Sequence, residues 1–103
     1  MIKMIVNEKA YKVHSRELRK LGYEVSLRLK TARRASIERT SREISCTFHV
    51  NSSTASQYIG YFEKGLFTVV PEAGPRLQAY AKFLGVQDEK VERLVEILYN
   101  VRR

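Results

Sequence analysis

The sequence has no tryptophan, one cysteine, two prolines and five glycines, and these scarcities exclude several classes of protein. A lone Cys46 cannot close an intramolecular disulfide, so the fold is expected to hold without covalent staples, as suits a reducing cytoplasm. No apolar run approaches the roughly 20 residues that a membrane-spanning helix needs, so no membrane partner is expected. Met1, Ile2, Met4, Ile5 and Val6 form too short a patch for a secretion signal and are expected as a short initial strand or a packed arm. No phosphate-cradling glycine loop, nucleophile elbow or Gly-x-Gly-x-x-Gly occurs, and no pair of acids stands out for acid–base work. Neither an enzyme nor a cofactor is expected. Cys46 and His49 lie three apart, but with His14 as the only other histidine they make no structural zinc site. No metal is expected, and Cys46 is expected to be a small core residue.

Acid is scarce too. Eleven Asp and Glu stand against 19 Lys and Arg, a net charge of +8 over 103 residues, which makes polyanions the default partners. Residues 1–42 hold twelve basic groups and four acids, whereas residues 43–103 hold seven of each, so the whole net charge sits in the first two-fifths. Between Arg28 and Arg42 there are six bases and one acid. Such asymmetry suits one face laid along phosphates; a merely solvated basic face is the alternative.

What is present is helical periodicity, enough for four or five helices in one compact all-α bundle. Leu18, Leu21, Val25, Leu29 and Ala32 recur every three to four residues, with Arg and Lys opposite. Gly22 costs about 1 kcal/mol relative to Ala inside a helix, so a break is expected near Gly22 and Tyr23. Residues 1–24 are accordingly assigned to a basic arm or helix, and residues 25–103 to the main domain, whose first helix covers residues 25–37. Thr40-Ser-Arg-Glu43 has the form of a capping box and predicts a helix start at Thr40. That helix, with Ile44 and Phe48 four apart, stops in the polar run Asn51-Ser-Ser-Thr54. Ala55, Tyr58, Ile59 and Phe62 mark the buried side of the next helix, which Lys64-Gly65 ends. Leu66-Phe-Thr-Val-Val70 has the β-branched composition of a strand or an extended loop. Pro75 fits the first turn of a helix carrying Leu77, Tyr80, Ala81 and Leu84 and closed by Gly85, and Asp88 caps a last helix with Val91, Leu94, Val95, Leu98 and Tyr99.

Residues 40–65 thus read as helix, short polar turn, helix. Ser41-Arg-Glu-Ile44-Ser-Cys-Thr-Phe48-His-Val50-Asn-Ser-Ser-Thr54-Ala-Ser-Gln-Tyr58-Ile resembles the helix-turn-helix of the Cro/C1 (XRE) family of phage and bacterial repressors. Phe62-Glu-Lys-Gly65 is similar to the Ile-Glu-x-Gly that ends the family's recognition helix, and residues 77–86 to its closing Leu-x-x-x-Ala-x-x-Leu-Gly-Val. The resemblance covers about residues 25–97. Two registers are open. With Val50 and Asn51 in the turn, the recognition helix begins around Ser53, the family's small mid-helix residue is Ser45, and His49 replaces its turn glycine. With Phe62-Glu63 fixing the register, the turn is about four residues longer and the helix begins near Ala55.

The resemblance implies a sequence-specific regulator, most simply a repressor that occludes a promoter. Its recognition helix would enter the major groove, where short polar side chains meet base edges. Gln57, which can bond adenine in a bidentate way, leads the expected base contacts, with Ser53, Thr54, Ser56 and Tyr61. Phosphate contacts are expected from Arg33, Arg34, Arg39, Arg42 and Lys64, and from the helix start at Thr40 and Ser41. A two-half-site operator implies a homodimer, with Leu94, Leu98, Tyr99 and Val101 as its expected surface. Partners are therefore double-stranded DNA, a second copy and a possible regulatory protein. The competing readings are a helix-turn-helix turned protein-interaction module, such as a phage or plasmid inhibitor or antitoxin, and a non-specific nucleic-acid binder.

Overall fold

The first helix owes its length to a glycine that does not break it. In the computed structural model, which describes residues 8–101 and side chains from residue 15 onward, α1 runs unbroken over Glu8–Ala32. The expected strand or arm at residues 1–6 and the side chain of His14 lie outside the described residues. Leu18, Gly22, Val25, Ser26 and Leu29 form the buried stripe of α1. Gly22 packs against the Phe67 ring, which a Cβ there would meet at 3.4 Å, and tertiary packing holds this turn of the helix without a hinge. The break expected at Gly22 and Tyr23 is thus overturned, and the helix crosses residues 24 and 25 without a seam.

Helix α2, Ile37–Phe48, starts three residues before the expected cap. Ser36 is the N-cap, its hydroxyl accepting from the Arg39 amide at 3.1 Å. Thr40 and Ser41 lie inside the helix, their hydroxyls donating to the carbonyls of Ser36 and Ile37. At the other end His49 adopts the left-handed conformation at φ 57°, and the His49 and Val50 amides donate to Cys46 and Ser45 at 3.2 Å. Residues 49–51 make the turn. Asn51 then caps α3, Ser52–Glu63, by accepting from the Thr54 amide at 2.8 Å. The register with Val50 and Asn51 in the turn is the one adopted, and a start near Ala55 is not.

After Gly65, at φ 78°, the segment expected as a strand or an extended loop is instead a 3₁₀ turn, Phe67–Val69. No strand occurs among the described residues, so this segment has none to pair with, and its buried side chains Phe67 and Val70 are three apart, the 3₁₀ repeat. Helix α4, Ala73–Leu84, ends at Gly85 in the left-handed conformation, and Asp88 caps α5, Glu89–Val101, accepting from the Val91 amide at 3.0 Å.

The chain is an all-α bundle, with five α-helices among the described residues. Helix α5 lies antiparallel along α1, as the order of their ion pairs shows. Arg93 grips Glu17 with two bonds of 2.8 Å, Lys90 meets Glu24 at 2.9 Å, and Asp88 meets Arg28. The Lys90 ammonium holds the Glu24 carboxyl below its usual pKa. At the centre, Phe62 stacks on Phe67 and Tyr80 with ring centroids 5.6 and 6.0 Å apart, and Phe48 meets Tyr80 edge-on. Full burial of side chains of this size contributes about 1.5–3 kcal/mol each. Leu94, Leu98 and Val101 belong to this core, so three of the four residues expected at a dimer surface are spent on the chain's own packing. Only Tyr99 stays half-exposed, its ring against Gly74. Cys46, expected in the core, is exposed. No helix among the described residues is long and apolar enough to cross a membrane.

Candidate nucleic-acid interface

The α2–turn–α3 pair presents one face of α3 outward because Ala55, Ile59 and Phe62 anchor the other in the core. That spacing leaves Ser52, Ser53, Gln57 and, just past the helix, Lys64 exposed. Thr54, Ser56 and Tyr61 are half-buried, and Tyr61 packs on the core, so its ring is less available than expected. The residues from Ser52 to Phe62 carry no charge.

The acid at the end of α3 is drawn inward. Glu63 receives two bonds from Arg33, at 2.5 and 3.1 Å, and its side chain is 8% exposed against 17% for Arg33. Arg33 also donates to the Ala35 carbonyl at 2.8 Å, which fixes the linker after α1. Pairing with Glu63 holds Arg33 charged by raising its pKa. Arg33, expected on phosphate, is therefore a brace between the end of α1 and the end of α3. Nearby, burial and then the Glu63 charge push the Tyr80 hydroxyl far above the ordinary tyrosine pKa, with Arg33 opposing. That hydroxyl is buried without a hydrogen-bond partner.

The remaining expected phosphate contacts separate. Arg42 is exposed and lines a shallow cleft with Ser41, Glu38 and the α3 residues Ser52, Ser53 and Ser56. It is the cation brought beside the start of α3. Arg39 is exposed but lies 3.6 Å from Glu43. Arg34 is exposed, yet it lines a different groove, formed by α1, α4, the start of α5 and the far side of α2. Thr40 and Ser41 are 2% and 1% exposed and inside α2, so they offer no helix-start anion site.

Two braces escaped the sequence reading. One is the Arg33–Glu63 pair, 30 residues apart, hinted at only by an acid ending an otherwise uncharged helix. The other is Arg76 of α4, which donates to the carbonyls of Phe48 and Pro71 at 3.1 and 2.6 Å and lies 5.0 Å above the Tyr58 ring. It ties the end of α2 and the flank of α3 to α4, and no local pattern marks it. A comparison with family models, curated proteins and solved structures found no match.

Proposed function

We propose that this chain is a sequence-specific double-stranded DNA-binding regulator, a repressor that sets α3 into the major groove of an operator with two half-sites. The observation that carries this reading is the outward face of α3, polar and free of acid because its one carboxylate is turned into the Arg33 pair. A helix pressed into a polyanion's groove gains from that arrangement, since an exposed carboxylate would be repelled by phosphate. Gln57 and Ser53 take the base edges, supported by Thr54 and Ser56. Arg42 and Lys64 take phosphates at the two ends of α3, and Arg39 contributes where Glu43 releases it. The rigid braces from Arg33 and Arg76 keep α3 in one orientation, which base readout requires.

Selection of bound duplexes from a randomised library at about physiological salt tests this reading. An enriched inverted repeat with half-sites about 10 base pairs apart is the expected result. Binding that is steep in salt but enriches no motif would mean a non-specific nucleic-acid binder, and no binding at all would remove DNA as the partner.

A further inference from the structure

On the far side of α2 lies a groove of about 1060 Å³ that no residue of α3 lines. Tyr23 and Leu27 of α1 and Phe83 of α4 form its apolar floor at 72%, 55% and 43% exposure, three of the five large hydrophobic side chains left exposed among the described residues. Helix α1 already buries its opposite stripe, so Tyr23 and Leu27 give it a second, outward apolar strip, which Phe83 of α4 flanks. With Lys20 and Lys30 these two recur along α1 at intervals of three and four, the spacing of a seam along which a second helix can lie, and Arg34 follows just past the end of α1.

The charges around the seam say what that second helix carries. The acids there are already held within the chain: Glu24 by Lys90, Asp88 by Arg28 and Glu43 by Arg39. Lys30 and Arg34 are exposed and have no ion pair among the described residues. A second copy of α1 laid along the seam would set Lys20 against Lys30 when antiparallel, or each lysine against its own counterpart when parallel. Like charges so placed are destabilising. Contiguous apolar side chains, in turn, are a poor match for a phosphate backbone.

We infer that this groove docks an amphipathic helix of a partner protein, with apolar side chains at i, i+4 and i+7 and acidic residues at its ends. Thr40 and Glu43 of α2 border the groove, whereas Glu38, Ser41 and Arg42 border the cleft beside α3. At 100° per residue these sets lie on opposite sides of α2, so partner and nucleic acid can be held at once. The inference stands whether or not α3 binds DNA.

The test is a titration of ¹⁵N-labelled protein with three synthetic helical peptides of about 16 residues. One carries Leu and Phe at i, i+4 and i+7 with terminal Glu, one has Lys in place of Glu, and one keeps the Glu but scrambles the apolar order. Only the first is expected to bind, shifting amides at residues 23–35 and 83–90 and weakening between about 50 and 300 mM salt. Leu27→Glu is expected to weaken it about tenfold, and Tyr23→Ser to act in the same direction; both sites are exposed and their helical circular dichroism should be unchanged. Equal binding of the Lys or scrambled peptide, shifts elsewhere, or no binding of the first peptide overturns the inference. So does a dimer by sedimentation that Leu27→Glu dissociates, or an oligonucleotide that shifts the same groove amides.

Discussion

The two helix pairs of this bundle use charge in opposite ways. Between α1 and α5 the acids and bases face each other across the seam, Glu17 with Arg93, Glu24 with Lys90 and Arg28 with Asp88, so charge sets antiparallel register at the surface. Between α2 and α3 the junction is made by caps, the His49 backbone amide in its left-handed turn and the Asn51 side chain, and the one acid of α3 is withdrawn into the Arg33 pair. Surface pairs of the first kind contribute little stability each, about 0–1 kcal/mol. The contrast shows that Glu17, Glu24 and Asp88 serve alignment of α1 with α5, while the outward face of α3 is kept clear of acid.

Breaking the packing that both pairs share should have the largest effect. Leu98→Glu puts a carboxylate at a fully buried site, and loss of the folded state is expected, on the order of 4 kcal/mol or more, seen as a collapsed thermal transition by circular dichroism. A folded monomer would instead restore the dimer-surface role for α5.

The Arg33–Glu63 brace comes next. Arg33→Ala strands a largely buried carboxylate and should cost about 3 kcal/mol in urea unfolding. Arg33→Ala combined with Glu63→Ala should cost less than the sum of the two single changes. An additive result would mean that the pair does not couple.

On the α3 face itself, Gln57→Ala should leave stability alone and remove roughly 1–3 kcal/mol of base discrimination. Arg42→Ala should weaken all sequences alike and lower the slope of log affinity against log salt by about 1. An unchanged preferred sequence after Gln57→Ala would take base reading away from α3.

The smallest effect sharpens the contrast at its centre. Tyr80→Phe removes a buried hydroxyl with no partner and should be neutral or stabilise by about 1 kcal/mol at pH 7. The native pKa of Tyr80 is raised above the unfolded value near 10, so its stabilisation is complete below about pH 10 and is lost as pH rises beyond it. Urea midpoints at pH 7 and about pH 11 should therefore fall less in the variant than in the parent.

The helices were legible wherever one local signal stood alone. Gly85 and Asp88 end and start helices as their chemistry predicts, and Asn51, expected in the turn, also caps α3. The start of α2 was misread because two hydroxyl side chains, Ser36 and Thr40, compete one helical turn apart, and the capping-box spacing to Glu43 favoured the wrong one. Gly22 was misread because the ring that fills its space, Phe67, lies 45 residues away in sequence. On the candidate interface, the exposure of Ser53 and Gln57 was legible from the register of α3, and that of Arg42 from the basic run that precedes it. Arg33, Arg34, Thr40 and Ser41 were not, since a basic or polar residue near the motif looks the same whether it faces solvent, an acid or a helix interior.

The sequence by itself determined that the chain is all-α, where most helices run, and that basic charge exceeds acid in its first part. Apolar spacing and capping act over one or two turns and are written in adjacent residues. The tertiary structure alone decided that Glu63 turns inward to Arg33, that the stripe of α5 closes the chain's own core, and that Tyr23, Leu27 and Phe83 share one groove. Those outcomes depend on distances across the packed bundle between residues tens of positions apart, where the nearest charge or ring is set by how helices stack.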